Sequence, residues 1–260
     1  LNELAIKRGV TAIVDAGLAP GIPNFLLGYH DVKGEIDSFE YYVGGLPKNP
    51  KPPFNYKAPF SPVDVIEEYI RPARMKVNGK RITRSALSEI ENINFENVGT
   101  LEAFNTDGLR SILFTMDHIN NMKEKTLRYP GHAALMANYR NAGKFDKERI
   151  RKTSDELFRA WRLEKNEPEL TIMKIIIKIE RSKIEYNLYD EFDVKTGFSS
   201  MSRTTGFTAT AAVNMVALNL FNECGVFPPE LVGKKLNCTE YLIDYLFQKN
   251  IKLEKVVSEM

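Results

Sequence analysis

Cysteine is scarce in this chain. Cys224 and Cys238 are the only two among 260 residues. That is too few for a disulfide framework, so both are expected as reduced thiols in a cytoplasmic protein. Histidine is almost as rare, with only His30, His118 and His132, and no Cys or His spacing matches a zinc site. No metal is expected. No apolar run approaches the roughly 20 residues that a membrane span needs, and Glu3, Lys7 and Arg8 interrupt any apolar signal core at the start. Lys+Arg 36 against Asp+Glu 34 leaves the charge near balance without a long basic run, so neither nucleic acid nor a membrane is an expected partner. The chain also lacks a Ser-His-Asp elbow, a P-loop and a Gly-x-Gly-x-x-Gly turn after a first strand. What remains, 43% hydrophobic and 27% charged, is an ordinary globular composition, long enough for one large or two modest domains.

The pattern along the chain mixes helices and strands, and the expected class is α/β with an α+β central part. Thr11 to Val14 is a short β-branched run that ends in Asp15, a Gly/Pro turn and an apolar helix from Phe25. A parallel strand hands over to a loop and helix in this way, and such sheets bind ligands at the carboxyl ends of their strands. Only a helical fragment, Leu1 to Gly9, precedes it, so the chain is expected to start inside a domain. Ser38–Val43 reads as a strand closed by Gly44-Gly45-Leu46-Pro47, a sharp backbone feature. Ser61-Pro62 caps a helix, and Asn78-Gly79 turns a hairpin. Strands follow at 100–104 and 125–129, with a helix from Leu109 and another from Ala133. Residues 147–161 form a polar helix. A long antiparallel pair turns at Arg181-Ser182. Ser202–Gly206 reads as a loop feeding a helix from Phe207 to Cys224, apolar all round, deeply buried and stopped by Gly225. A short helix at 228–230 and a last helix at 241–250 complete the reading.

Three glycine-ended junctions, at Asp15-Ala16-Gly17, Gly44-Gly45 and Pro130-Gly131-His132, together with a helix start at Thr204-Thr205-Gly206, suggest one shared cleft. Each alone is also what a tight turn looks like. His132 is a candidate proton carrier near neutral pH, or else a packed or helix-capping histidine. Asp107 can hold a substrate ammonium or cap the helix beside it. Arg128 and Arg203 can grip a carboxylate through bidentate bonds, or serve on the surface. Backbone N–H groups near Thr205 can meet an anion.

Five ordered motifs carry a resemblance: Asp15-Ala16-Gly17-Leu18-Ala19-Pro20-Gly21, Gly44-Gly45-Leu46-Pro47, Thr106-Asp107-Gly108-Leu109-Arg110, Thr126-Leu127-Arg128-Tyr129-Pro130-Gly131-His132 and Arg203-Thr204-Thr205-Gly206-Phe207. In this order they resemble the saccharopine dehydrogenase family, nearest its lysine 6-dehydrogenase and saccharopine reductase branches. The resemblance implies an NAD- or NADP-dependent amino-acid dehydrogenase that oxidises the amine of lysine or a lysine derivative by hydride transfer, working as a homodimer on a small amino-acid substrate. It implies that residues 1–34 close a Rossmann-like domain whose phosphate-binding glycines lie upstream. Residues 35–200 would form a mixed-sheet substrate and dimerisation domain, and 201–260 a helical return. His132, with Asp107 second, would be the base. Arg128, Tyr129, Gly45, Arg203 and Thr205 would meet the substrate, and Asp15, Ala16, Gly17, Pro20 and Gly21 would border the nicotinamide. A non-enzymatic dimerising or ligand-binding module, and a dehydrogenase of carboxynorspermidine type, are the alternatives.

Overall fold

The computed structural model describes all residues from Leu1 to Met260. In chain order the elements are α1 (Asn2–Lys7), β1 (Thr11–Ile13), α2 (Ile22–Asp31), β2 (Ile36–Pro47), α3 (Pro62–Ile70), β3 (Ala73–Val77), β4 (Lys80–Arg84), β5 (Glu91–Phe95), β6 (Gly99–Asn105) and α4 (Ile112–Thr115). There follow β7 (Asn121–Arg128), α5 (His132–Asn141), α6 (Ile150–Ala160), β8 (Glu169–Ile179), β9 (Ser182–Glu191), α7 (Ser200–Ala217), β10 (Gly225–Phe227), α8 (Pro229–Gly233), α9 (Leu236–Gln248) and β11 (Leu253–Glu259).

This is an α/β fold built on a mixed nine-stranded sheet ordered β11-β9-β8-β2-β7-β3-β4, with β6 also pairing β7 and β5. The sheet forks at β7: its first half meets β3 at Met122, and Lys125 to Arg128 pair with β6. The only parallel neighbours in it are β2 and β7, from Ser38↔Asn121 to Val43↔Thr126. The apolar run on β8 is explained by burial on both faces. Met173, Ile175 and Ile177 enter the main core, while Ile172 and Ile176 pack on the opposite face with Tyr42, Leu46 and Leu127. A separate aromatic core gathers Tyr56, Tyr69, Phe104 and Trp161 under α3, α5 and α6. The polar helix read at 147–161 thus has an apolar stripe, with Leu157 and Trp161 buried. No helix is long and apolar enough to cross a membrane, and no group of three or more His, Cys, Asp or Glu could hold a metal ion.

Several expectations need correction. Gly44-Gly45 is not a bend: β2 runs straight through to Pro47, paired with β8 as far as Glu169. These glycines answer to crowding, since a Cβ on Gly44 would lie 2.8 Å from the Leu127 carbonyl oxygen and one on Gly45 2.6 Å from Met201 Cε. The helix placed at Phe207 starts a full two turns earlier. Ser199 is its cap, accepting a hydrogen bond from the Ser202 N–H at 3.1 Å. It ends at Ala217, and Val213, Val216 and Leu218 are exposed, so it is not apolar-packed all round. Gly225 opens β10, which pairs in parallel with β1 from Thr11↔Gly225. Ser61 makes no side-chain cap bond, and the helix beyond Leu109 is the single turn of α4. Strands β5, β10 and β11 were not anticipated. Through β11 the last segment joins the sheet of the middle one, Leu253↔Leu188 to Glu259↔Ser182.

Helix α2 crosses α8 at two glycines. A Cβ on Gly28 would overlap the Glu230 carbonyl, and one on Gly233 the Phe25 carbonyl. Gly28→Ala should therefore lower stability in urea by about 1–3 kcal/mol or more. Gly206 lies inside α7 with open space around it, so Gly206→Ala should raise stability by about 0.5–1 kcal/mol in the same titration.

Candidate functional site

Alternation along β7 sends Glu124, Thr126 and Arg128 to one face of the sheet. The parallel register sets Tyr41 beside Glu124 and Val43 beside Thr126, and Gly45 follows on the same face of β2. Above this floor stand Glu68 of α3, Pro59 and Phe60, the Asp15–Pro20 loop after β1, and Met201, Ser202 and Thr205 from the first turns of α7. They enclose a cleft of about 580 Å³. Its inner end runs into a chamber of about 270 Å³ lined by Tyr41, Thr106, Asp107, Arg110, Glu67 and Glu124. A larger hollow of about 820 Å³ lies between the β5–β6 tip and α9–β11. None of its charged side chains is buried, so the smaller cleft, which has buried charged groups on its floor, is the candidate site.

Burial governs the electrostatics of the floor. Glu124 is 4% exposed. Both its carboxyl oxygens lie 2.7–2.8 Å from Thr106 Oγ1, and the Gly108 N–H donates to one at 3.0 Å. Desolvation nevertheless wins and pushes its pKa from 4.5 up to about 8. Thr106 Oγ1 is in turn 2.8 Å from Thr126 Oγ1. Arg128 is 1% exposed. It donates to Glu68 at 2.6 Å, to the Leu127 carbonyl at 2.9 Å and to the Tyr56 hydroxyl at 3.4 Å, and its guanidinium lies over the Tyr56 ring. Burial raises the Glu68 carboxyl, and Arg128 opposes that rise. The Arg128 Nε–H has no partner, although the side chain lines the cleft.

The structure brings most of the expected residues together. Asp15, Ala16, Gly17, Pro20, Gly45, Arg128 and Thr205 all line the one cleft. Asp15 adopts φ 54 and meets Arg110 at 3.2 Å. Gly21 stands behind the loop at φ 145, where a Cβ would overlap the Gly17 carbonyl. Asp107 reaches the inner chamber, but Arg74 holds its carboxylate at 2.8 Å on both oxygens, and the Arg74 N–H donates to it too. It caps no helix.

Tyr129, Arg203 and His132 lie elsewhere, and the expected helix start at Thr204-Thr205 is not one. Tyr129 donates its hydroxyl to the Pro47 carbonyl at 3.0 Å, outside the cleft. Arg203 is buried against Asp190 and Asp193 and donates to the Lys249 carbonyl, tying α7 to β9. Thr204 and Thr205 fall inside α7 rather than at its start, so their N–H groups are not free for an anion. His132 is 1% exposed within the aromatic core. Its Nε2 lies 2.8 Å from the Tyr69 hydroxyl and its Nδ1 2.8 Å from the Phe54 carbonyl. Burial, and secondarily Arg128, depress its pKa to about 3. A neutral imidazole with both nitrogens engaged and no place on the cleft wall is a packed histidine.

Glu124, Glu68, Thr106 and Thr126 line the cleft or its inner chamber, and the sequence reading assigned none of them a role. Placing the strand start at Lys125 left Glu124 outside it and hid the alternation of Glu124, Thr126 and Arg128. His132→Ala should cost at least about 1–3 kcal/mol in urea, because the Tyr69 hydroxyl and Phe54 carbonyl lose a buried partner. The unfolded chain releases the Glu124 proton near pH 4.5 and the folded one near 8. The stability this group contributes is therefore present below pH 4.5 and lost as pH rises through 8. Glu124→Gln should flatten that fall in a pH series of thermal melts.

Comparison with known proteins places this geometry. Residues 17–251 match the family described as the saccharopine dehydrogenase C-terminal domain. Alpha-aminoadipic semialdehyde synthase of Arabidopsis thaliana is 31% identical over 163 residues, which cover 57% of this chain and 15% of that protein. The mitochondrial enzyme of that name from Rattus norvegicus is 27% identical over 161 residues, covering 57% of this chain and 17% of the relative. The chain thus spans about a sixth of the length of these relatives. The apo, histidine-tagged saccharopine dehydrogenase (L-Glu forming) of Saccharomyces cerevisiae shares the fold at a TM-score of 0.78 and 17% identity, over 99% of this chain and 76% of that one. The chain belongs to the saccharopine dehydrogenase family.

Proposed function

We propose that the cleft holds an amino-acid amine against a nicotinamide, and that this chain is the substrate side of an NAD- or NADP-dependent dehydrogenase acting on lysine or a lysine derivative such as saccharopine. One observation carries the reading: a buried acid, a hydroxyl and an unsatisfied guanidinium N–H stand in a row beneath a cleft walled by the Asp15–Pro20 loop and Gly45. The Arg128 Nε–H is a donor for a substrate carboxylate. Glu68 on the cleft, with Glu124 behind Thr126 in the chamber beyond, suits an amine, whose nitrogen must shed a proton before hydride can leave its carbon.

The residues that line the cleft fit the nicotinamide end of a dinucleotide. Gly17 and Gly45, with Ala16, Ala19 and Pro20, leave a rim low enough for a flat ring. No Gly-x-Gly-x-x-Gly turn is present among them to cradle a pyrophosphate. The bound cofactor supplies the hydride acceptor, and the protein aligns it. Arg128 holds the substrate carboxylate through its Nε–H, the Nη groups being bonded to Glu68, Tyr56 and the Leu127 carbonyl. Phe60 and Met201 keep water from the reacting face.

The protein translated from the complete reading frame should reduce NAD or NADP with lysine, saccharopine or carboxynorspermidine as donor, read by nicotinamide absorbance. Arg128→Lys keeps the charge beside Glu68 but removes the Nε–H, and should raise KM for the amino acid about 10-fold or more with a smaller change in kcat. Absence of both turnover and calorimetric binding with all three donors would overturn the reading.

A further inference from the structure

The row beneath the cleft is a connected chain of hydrogen-bonding groups. The Glu124 carboxyl touches Thr106 Oγ1 at 2.7–2.8 Å, and Thr106 Oγ1 touches Thr126 Oγ1 at 2.8 Å. Thr126 borders both the cleft and the inner chamber, whereas Thr106 and Glu124 line the chamber alone. All three residues are at most 4% exposed. A threonine hydroxyl has one proton and two lone pairs, so a line of two such groups has only two fully bonded states. With Glu124 ionised, Thr126 donates to Thr106 and Thr106 donates to the carboxylate, which leaves Thr126 lone pairs for the cleft. With Glu124 protonated, every bond reverses and Thr126 donates into the cleft.

We infer that Glu124, Thr106 and Thr126 form a proton relay that takes the proton from the substrate nitrogen and stores it on Glu124. This rests on the amine-dehydrogenase reading of the cleft. In the oxidising direction the substrate N–H⁺ bond breaks and its proton passes to Thr126 Oγ1. The Thr126 proton moves to Thr106 Oγ1, and the Thr106 proton moves to the Glu124 carboxylate. The freed nitrogen lone pair forms the C=N bond as the adjacent C–H bond breaks, and its electron pair leaves as hydride to the oxidised nicotinamide. One proton and one hydride are thus accounted for, and reduction runs the same steps backwards. Of the three, only Thr126 borders the cleft and touches the substrate. Glu124 acts from one shell away, where it needs no solvent contact.

The surroundings suit the acid to this work. Burial raises it, Glu68 from α3 and Asp107 after β6 raise it further, and Thr106 and the Gly108 N–H pull it back. Tyr41 of β2 stands over it and is itself held protonated, its pKa raised well above the ordinary range by burial, with Arg110 opposing. Asp64, Glu67 and Arg71 rim the chamber. The balance is a carboxyl near pH 8, where a relay can both accept and return a proton.

The test combines a readout on the present chain with one on the complete enzyme. In this chain, carbon-13-labelled glutamate should show one carboxyl titrating near pH 8 that Glu124→Gln removes. Thr126→Val, which does not touch Glu124, should shift that midpoint upward through Thr106, and Thr126→Ser should restore it. An unmoved midpoint in Thr126→Val, or no carboxyl titrating above the ordinary range, overturns the relay whatever the enzyme does. In the complete enzyme, Thr126→Val should slow single-turnover hydride transfer about 10²-fold or more and abolish its solvent isotope effect, with Thr126→Ser close to wild type. An unchanged rate and isotope effect there also overturns it. If the amine donors neither bind nor turn over while the labelled carboxyl behaves as described, the hydroxyl chain stands and the assigned substrate falls.

Discussion

The parallel contact between β2 and β7 is the constraint on which the site depends. It is the only parallel pairing in the large sheet, and it aligns two strands so that their alternate residues form one floor. Glu124, Thr126 and Arg128 come from one strand. Tyr41, Val43 and Gly45 come from the other. Gly44 lets β2 pass the Leu127 carbonyl, and Gly45 leaves its place to Met201 and Pro59. A side chain at either position would push the strands apart or fill the cleft.

Around that floor several buried polar groups tie one element to another. Glu230, fully buried, accepts from Asn24 at 2.8 Å and Thr115 at 2.6 Å, which fixes the start of α2 against α8 and α4. Arg203 clamps α7 to β9. Glu169 accepts from the Ser200 N–H at the start of α7. These contacts hold the Asp15–Pro20 loop and the first turns of α7 as the two walls of the cleft. Among the buried groups without a hydrogen-bond partner, the Arg128 Nε–H belongs to a residue that lines the cleft.

Much of this was legible in the chain itself. The Asn78-Gly79 turn, the β8–β9 pair, the loop between β1 and α2 and the strand carrying Arg128 follow from local chemistry that no distant contact needed to supply. Of the three junctions expected to share a cleft, Asp15-Ala16-Gly17 and Gly44-Gly45 line it, and Pro130-Gly131-His132 does not. Two errors share one cause. The glycines of Gly44-Gly45 looked like a turn, and His132 looked like a base. Both inferences used residue type and local position, and both residues answer to neighbours far away in sequence: Met201 and Pro59 in the first case, Phe54 and Tyr69 in the second.

Composition and local pattern determined that this chain makes a mixed α/β sheet, that no disulfide framework or long basic run shapes it, and which loops end its strands. Tertiary structure alone decided which polar groups are cut off from water. Desolvation is a property of everything packed around a group, so it turned His132 into a neutral core residue and lifted Glu124 toward neutrality. No spacing along the chain records that.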